Sequence, residues 1–266
     1  IFFKTDFLDF FNLMNHSVVY ISNFAVKINV MSLILIIESS TEVCSVSLLK
    51  DGKLWDICES AEGQNHARLV TVFAEELLKR NNVTPGDLNA VAISKGPGSY
   101  TGLRIGASTA KGICYAARIP LIAVGTLEAM AKHVALNRAE YQIPTDKPLL
   151  FCPMIDARRM EVYSMLLNDS GQIITPIGAE IIDEAFLQKE MKTNTVVFFG
   201  NGASKSESLI KSPNAVFLNK INASARYMTE LVWEAYNNKH FEDVAYFEPF
   251  YLKDFIVTVS KKNVLG

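Results

Sequence analysis

The stretch KGPGSYTGLRIG, Lys95–Gly106, is the most specific feature of this 266-residue chain. It follows the apolar segment 89–94, which is typical of a buried strand, and it opens a segment with helical spacing over 101–118. Its first two glycines are expected to take backbone angles that other residues avoid, while the proline between them fixes the corner. The stretch therefore predicts a tight turn from a strand into a helix.

The same turn leaves an anion site open as an alternative, because the backbone N–H groups of Ser99 to Gly102 lie at a helix start. Two known phosphate motifs are excluded. No Gly-Lys-Ser/Thr follows, so the turn is not a P-loop. Its glycines are spaced G-x-G-x-x-x-G, which is not the dinucleotide fingerprint. Spacing alone favours an ordinary structural turn.

The segments on either side of this turn follow a repeated order. Three strands and then helix, strand, helix, strand, helix are predicted before the polar, proline-containing linker 138–148, and the same order returns after it. This repeat indicates two α/β halves facing a cleft. The predicted strands are 33–39, 43–50, 53–60, 89–94, 120–124, 149–157, 160–168, 172–180, 195–200 and 215–218. The predicted helices are 65–82, 101–118, 126–137, 182–191, 204–211 and 223–239.

The composition is that of a globular protein, with 49% hydrophobic and 20% charged residues. The net charge of −2 excludes a generally basic nucleic-acid coat, although it leaves room for a local basic patch. The four cysteines form no CxxC pair, so they are expected to be buried reduced thiols, which fits the cytosol. A disulfide across a hairpin between Cys44 and Cys58 is the less favoured reading.

The first 30 residues differ from the rest of the chain. They are rich in phenylalanine, but polar residues interrupt every apolar run before it reaches the length of a membrane helix. Met31 directly precedes the first clean strand. The favoured prediction is that residues 1–30 are a leader outside the native fold. A membrane-surface anchor is the weaker alternative, because the stretch has no basic polar face.

Five segments carry a resemblance to a known family. They are ILIIESST (34–41), GPGSYTGLRIG (96–106), GTLEAMA (125–131), DARRMEVY (156–163) and PFYLK (249–253). Together they resemble the TsaB (YeaZ) family of the bacterial tRNA threonylcarbamoyladenosine machinery, from Met31 to about Lys253. The resemblance implies an α/β, two-lobed actin-like ATPase fold (sugar-kinase/Hsp70/actin, ribonuclease H-like) with repeated βββαβαβα halves. The first half would span 31–140 and the second, with a C-terminal tail, 146–266.

The resemblance also implies a role. The chain would be a non-catalytic dimerization or scaffold subunit that binds and activates the catalytic TsaD subunit for modification of an adenosine next to the anticodon. The small ATPase subunit TsaE would join, self-association as a homodimer is implied, and tRNA would be reached indirectly through the complex. The expected location is cytoplasmic, without membrane contact. This subunit would require no cofactor, whereas the complex would use ATP and Mg²⁺.

Two catalytic alternatives remain, an actin-like ATP-binding enzyme and a glycoprotease-type peptidase. ATPases of this fold typically carry Asp-x-Gly-Thr after the first strand, whereas this chain has Glu-Ser-Ser-Thr at 38–41. The acid is longer by one methylene and the glycine is missing, so close approach of the backbone to a phosphate is hindered. The residues of a possible vestigial nucleotide cleft are Glu38, Ser40, Thr41, Asp156, Gly200 and Gly202.

No catalytic or metal-binding residue is predicted. His16, His66, His133 and His240 are never three or four residues apart, so no helix presents two of them on one face. Ser99 and Cys114 are available nucleophiles, but neither is paired with a base by its sequence context. A peptidase is therefore the least favoured class.

The helices 65–82 and 101–118 are predicted to hold the partner interface. The first is apolar over half its circumference, and the second carries a ridge of small residues that lets another helix approach closely. The alternative is close packing on the chain's own sheet. The predicted interface residues are Leu69, Phe73, Leu77, Gly98, Ser99, Tyr100, Thr101, Gly102, Arg104, Gly106 and Ala110. A leucine at position 106 would break pairing and leave the fold intact.

Three arginines have open roles. Arg104 either pairs with a partner carboxylate, contacts a tRNA phosphate, or is an ordinary solvated charge. The same readings apply to Arg158 and Arg159, which are predicted to lie at a turn between two strands.

Overall fold

The structure, a computed structural model, describes residues 18–21, 24–27, 31–61, 65–144 and 146–253. The chain divides into two compact units, Ile1–Ser32 and Leu33–Gly266. In the first unit, strands β1 (Val18–Ile21) and β2 (Phe24–Lys27) pair antiparallel. The other residues of the predicted leader, and those after 253, lie outside the described residues, so the leader stays a prediction.

The second unit begins with a five-stranded sheet built from buried apolar runs. Its strands are β3 (Leu33–Glu38), β4 (Cys44–Lys50), β5 (Lys53–Ser60), β6 (Ala90–Ser94) and β7 (Leu121–Val124). Their order in space is β5-β4-β3-β6-β7, with β3, β4 and β5 antiparallel and β6 and β7 parallel to β3. The helices of this half are α1 (His66–Arg80), α2 (Tyr100–Ala117) and α3 (Thr126–Leu136).

A second five-stranded sheet repeats this topology. Its strands are β8 (Leu149–Asp156), β9 (Glu161–Asn168), β10 (Ile173–Ile181), β11 (Thr195–Phe199) and β12 (Ala215–Leu218). Their order is β10-β9-β8-β11-β12, with the same antiparallel first three strands and the same parallel last two. The described helices here are α4 (Ala203–Ser206) and α5 (Thr229–Asn237). The predicted two-lobed α/β fold with a repeated strand order is confirmed.

The helices of the second half depart from the prediction. Residues 182–191 form turns followed by a 3-10 helix at Glu190–Lys192 instead of an α-helix. The local reason is that Leu187 is left-handed with φ 53°, which interrupts a right-handed helix in the middle of this segment. The predicted helix 204–211 shortens to α4, and 223–239 starts as a 3-10 helix at Ala225–Met228.

The two halves exchange helices. The apolar face of α3, including Leu127, Met130 and Val134, packs in one cluster with the strands of the second sheet. In return, Val232 of α5 packs in one cluster with Ile34 and other residues of the first sheet. The predicted boundary near 140–146 therefore divides the two halves in sequence, but each of these two clusters contains residues from both sides of it.

All four cysteines are buried and free, so the disulfide alternative is wrong. In the part of the chain that the structure describes, no helix is long and apolar enough to cross a bilayer.

Candidate functional site

The glycine turn between β6 and α2 is held by the chain itself. The Ser99 N–H donates to the carbonyl oxygen of Ser40 at 2.6 Å, and the Ser99 hydroxyl caps α2 by accepting the Gly102 N–H at 3.2 Å. Two of the four N–H groups considered for an anion are thus already bonded. The geometry is that of the structural turn, the reading that spacing favoured.

The first two glycines of this turn serve different purposes. Gly96 has φ +104°, a conformation that favours glycine. Gly98 is not left-handed, so the expectation of an unusual φ there is wrong. A Cβ at Gly98 would instead overlap the Ser40 carbonyl oxygen. The sequence requires glycine at this position because two backbone segments touch.

The acid at the end of β3 points into the protein. The Glu38 side chain is 1% exposed, and its Oε1 accepts the Ser40 N–H at 2.7 Å and the Ser94 hydroxyl at 2.8 Å. Burial raises the pKa of Glu38, although these hydrogen bonds partly oppose the shift. The carboxyl group therefore organises the turn that follows it.

The turn 38–41 does not fit a Mg²⁺–phosphate site. Its acid is buried, and the space beside the turn is filled by the backbone at Gly98 and at Gly102, where a Cβ would overlap the Ser39 carbonyl oxygen. On its other side the Thr41 carbonyl oxygen contacts Nε2 of His66 at 2.8 Å. The first three residues of the predicted vestigial cleft, Glu38, Ser40 and Thr41, are thus occupied by contacts within the chain.

The second part of that predicted cleft lies at the end of β8. Asp156 is exposed, and its Oδ1 accepts Nζ of Lys205 at 2.6 Å and the Arg158 N–H at 2.7 Å. Asn201 joins this turn to the first half. Its Oδ1 accepts the Asp156 N–H at 3.0 Å, and its Nδ2 donates to Glu42 at 2.5 Å. The structure thus connects the ends of β3 and β8 through the Asn201 amide.

Gly200 and Gly202, the remaining cleft residues, also face the chain. Gly200 has φ +97°, and a Cβ there would overlap the Met154 carbonyl oxygen. A Cβ at Gly202 would lie 3.0 Å from the carbonyl carbon of Ile155. Both glycines therefore allow close approach to β8, whatever ligand the fold takes in other proteins.

Of the two candidate nucleophiles, one is a helix cap and the other is buried. Ser99 caps α2, and burial raises the pKa of Cys114 to about 11, which disfavours a thiolate. His133 contacts the Tyr141 hydroxyl at 3.0 Å and lies 4.3 Å, centroid to centroid, from the Tyr227 ring. Across the described ranges, no three His, Cys, Asp or Glu residues are grouped so that they could hold a metal ion.

The structure divides the predicted interface residues of α1 and α2 by exposure. Leu77, Gly102, Gly106 and Ala110 are buried inside the chain, which is the alternative that the sequence left open. A Cβ at Gly106 would overlap the Ser39 hydroxyl, so a leucine there would disturb the fold itself. Leu69, Phe73, Gly98 and Tyr100 are half-buried, and Ser99, Thr101 and Arg104 are exposed.

Sequence reasoning missed part of the exposed surface. On α2 the residues Thr101, Arg104, Ser108, Gly112 and Tyr115 form one exposed stripe, and Tyr115 is 83% exposed. Val72 of the neighbouring α1 is also exposed. We call these six residues the outer face. The signal in the sequence was their helical spacing of three, four, four and three residues along α2.

Comparisons with known proteins agree on relatives that are named for the threonylcarbamoyladenosine modification of tRNA. A family model described as TsaD, tRNA N6-adenosine threonylcarbamoyltransferase, matches residues 59–254. The Haemophilus influenzae tRNA threonylcarbamoyladenosine biosynthesis protein TsaB is 30% identical over 232 residues, covering 83% of this chain and 93% of that protein. The Bacillus subtilis protein of the same name is 29% identical, covering 67% of this chain and 75% of its own length.

Solved structures support the fold. A Pseudomonas aeruginosa protein described as similar to peptidase YEAZ aligns with a TM-score of 0.71 at 23% identity, covering 84% of this chain and all of that one. A structure described as YeaZ from the same organism aligns with a TM-score of 0.69 at 23% identity and equal coverage.

Proposed function

The chain belongs to the TsaB family, and from this membership we propose that it acts in tRNA threonylcarbamoyladenosine biosynthesis as a non-catalytic subunit. In this role it binds the TsaD catalytic subunit and holds it in an active arrangement. TsaE joins the complex. The chain also forms a homodimer, through the same surface that binds TsaD. The partner subunits make most of the contacts to tRNA. The assembly works in the cytoplasm, and the ATP and Mg²⁺ that it uses bind elsewhere in the complex.

The observation that carries the non-catalytic role is the state of the turn after β3. In ATPases of this fold that turn approaches a phosphate, which requires an available acid and free backbone N–H groups. Here the acid, Glu38, is buried and bonded to Ser40 and Ser94, and the glycine turn covers the backbone. A catalytic role would require this packing to open.

The outer face supports the docking role. It presents an exposed aromatic ring at Tyr115, a cation at Arg104, and the small residues Ser108 and Gly112 between them. Small residues let a second helix approach closely, and aromatic residues and arginine are enriched where protein interfaces concentrate their affinity. The half-buried Leu69 and Phe73 of α1 extend this surface with apolar area.

Reconstitution tests the proposal. The rate of threonylcarbamoyladenosine formation on tRNA should be at least tenfold higher with TsaD, TsaE and this chain than without this chain. Ser108→Arg should abolish co-purification with TsaD and the rate gain, because the new side chain stands in the middle of the outer face. Ser208→Arg, at an exposed serine of the second half, is the matched control and should change neither.

Two results would contradict the proposal. One is an unchanged modification rate when the chain is omitted. The other is nucleotide turnover by the isolated chain, since that would favour the ATP-using alternative. Loss of this turnover in Glu38→Gln would assign it to the first turn, and survival would assign it to a site elsewhere.

A further inference from the structure

The C-terminal segment 241–253 is fixed across the N-terminal half of the structure. The Glu242 N–H donates to the Leu121 carbonyl oxygen at 2.8 Å, and Nζ of Lys111 donates to the carbonyl oxygens of residues 245 and 247 at 2.9 and 3.1 Å. Phe247 is buried in the core of the first sheet. The Phe250 N–H then donates to the Lys95 carbonyl oxygen at 2.7 Å. This series of contacts sets the position of the next residue, Tyr251, beside the glycine turn.

Tyr251 completes an aromatic and cationic group at the start of α2. Its ring centroid lies 4.9 Å from that of Tyr100. The Arg104 guanidinium lies 5.4 Å from the Tyr100 centroid and donates to the Tyr100 hydroxyl at 2.9 Å. Among the described residues no carboxylate forms a salt bridge with Arg104, so its exposed charge is held in position without being neutralised. An oriented but unneutralised guanidinium is suited to bind a phosphate.

The same surface continues to the turn between β8 and β9. Lys253 forms an ion pair with Glu161 and lies 5.8 Å from the Tyr163 ring centroid. Lys205 donates to the carbonyl oxygens of Arg159 and Glu161 at 2.9 and 2.5 Å. These contacts connect the end of the C-terminal segment to a pair of arginines in the second half.

Those two arginines sit in an unusual backbone. Arg158 and Arg159 are both left-handed, with φ of 72° and 53°, and both are exposed. Such angles are uncommon for residues with a side chain, and two in succession are the geometry of a tight turn between antiparallel strands, here β8 and β9. In the described part of the chain neither arginine forms a salt bridge. The turn thus presents two adjacent cations to solvent.

We define the basic–aromatic surface by Tyr100, Arg104, Arg158, Arg159, Tyr251 and Lys253. With Lys205 it includes five basic residues, and among the described residues the carboxylates that the ion pairs and the surroundings of Tyr251 place beside it are Asp156, Glu161 and Glu248. The local excess is positive, although the whole chain carries a net charge of −2. An anionic partner is therefore attracted to this surface in preference to the rest of the molecule.

We propose that the basic–aromatic surface binds RNA directly, at a segment with unpaired bases. Interleaved aromatic rings and cations are the chemistry of single-stranded RNA recognition, since bases stack on tyrosine or arginine planes and phosphates pair with the charges. Tyrosine and arginine are also common in protein interfaces, so the choice of RNA rests on the local excess of positive charge and on the arginines that no carboxylate neutralises among the described residues. The inference rests on the proposed function, in which the loop of a tRNA is such an RNA, and it adds one direct contact there. It assigns Arg104, which the basic–aromatic surface shares with the outer face, to the RNA.

Fluorescence anisotropy with the full chain tests this inference separately from the modification reaction. The probes are a fluorescein-labelled RNA hairpin with an unpaired loop and a fully paired RNA duplex of equal charge. We expect saturable binding of the hairpin that weakens as salt rises, and weaker binding of the duplex. Tyr251→Ala should weaken hairpin binding about tenfold. Arg104→Ala should weaken it and lower the slope of log affinity against log salt by about one.

Two controls keep these effects specific. Tyr246→Ala removes an 84% exposed ring from the same segment, and Arg138→Ala removes an exposed arginine elsewhere. Both should bind the hairpin like the parent, and circular dichroism should show unchanged folding of every variant.

The inference is wrong if the parent chain binds no hairpin, or if the surface variants bind it as well as the parent. It is also wrong if Arg104→Ala and Tyr251→Ala lose TsaD while keeping RNA affinity, because the surface is then a protein contact. The proposed function fails on a different result, namely modification that does not require this chain.

Discussion

Two glycine turns, GPG at 96–98 and GNG at 200–202, occupy the same place in the two halves. Each follows the fourth strand of its sheet, begins with a left-handed glycine, and presses against the end region of that sheet's first strand. They differ in what comes next. The first turn leads into the 18-residue α2, capped by Ser99, whereas the second leads into the four-residue α4. A shared turn thus supports a long helix with an outer face in one half only.

The acidic residues beside these two turns also differ between the halves, in how far they are exposed to solvent. Glu38 and Asp156 end the first strands of their sheets, and each accepts the N–H of the residue two positions later. Glu38 is buried, whereas the Asp156 side chain is 46% exposed and paired with Lys205. We call the first turn sealed, because its acidic side chain is buried, and the second turn open, because its acidic side chain is exposed to solvent. The sealed turn lies beneath the outer face, and the open turn carries Arg158 and Arg159 of the basic–aromatic surface.

The largest predicted effect concerns the glycines that both turns require. Gly98→Ala and Gly200→Ala should each lower the free energy of unfolding by about 3 kcal/mol or more, because the new Cβ overlaps a backbone carbonyl oxygen that cannot rotate away. Urea unfolding followed by circular dichroism measures this. If only one variant is destabilised, the two turns are not equivalent.

A smaller effect is expected on α2, where two glycines provide an internal control. Gly106→Ala should cost about 1–2 kcal/mol, because its Cβ displaces the Ser39 hydroxyl from its 2.9 Å hydrogen bond to Gly102. Gly112→Ala meets no atom within 4 Å and should stabilise the helix by up to about 1 kcal/mol. Equal thermal shifts for the two variants would contradict the assignment of Gly106 to the inner face.

Most of the fold could be predicted because strands and long helices carry local signals. The ten predicted strands all appear within one residue at either end, since each is an apolar or alternating run closed by turn residues. The helix predicted over 182–191 does not form, although the composition suits one, because Leu187 takes a left-handed conformation in the middle of the segment. Helical composition is a weak signal when tertiary structure decides.

The candidate site was less predictable because it depends on contacts between distant segments. A row of small residues on α2 has the same pattern whether it faces a partner or the chain's own turn at Ser39, and only the structure distinguishes these. The exchange of α3 and α5 between the sheets has no local signal either. By contrast, a G-x-G motif follows the fourth strand of each half, at 96–98 and at 200–202. This match is present in the sequence itself and supports the prediction that the two halves are repeats.

Glu38→Gln should change the pH dependence of stability. The pKa of Glu38 is raised in the folded protein, so its protonated carboxyl group contributes to the free energy of unfolding. This contribution is fully present below the ordinary pKa of 4.5 and is lost as the pH rises through the folded pKa. The free energy of unfolding of the parent should therefore fall with rising pH above 4.5 more steeply than that of the variant. Urea unfolding from pH 4.5 to 8 measures the two slopes, and parallel slopes would show that Glu38 is not sealed.

The smallest effect is expected at the open turn. Asp156→Asn keeps the acceptor for the Arg158 N–H and loses only the attraction to Lys205, so it should cost less than about 1 kcal/mol. Lys205→Ala should cost more, because that ammonium also bonds two backbone carbonyl oxygens. In 1 M NaCl the Asp156→Asn effect should shrink further, since salt screens exposed pairs. A large effect of Asp156→Asn that persists in salt would mean that the second turn is sealed like the first, and the contrast between the two halves would then lie in their helices alone.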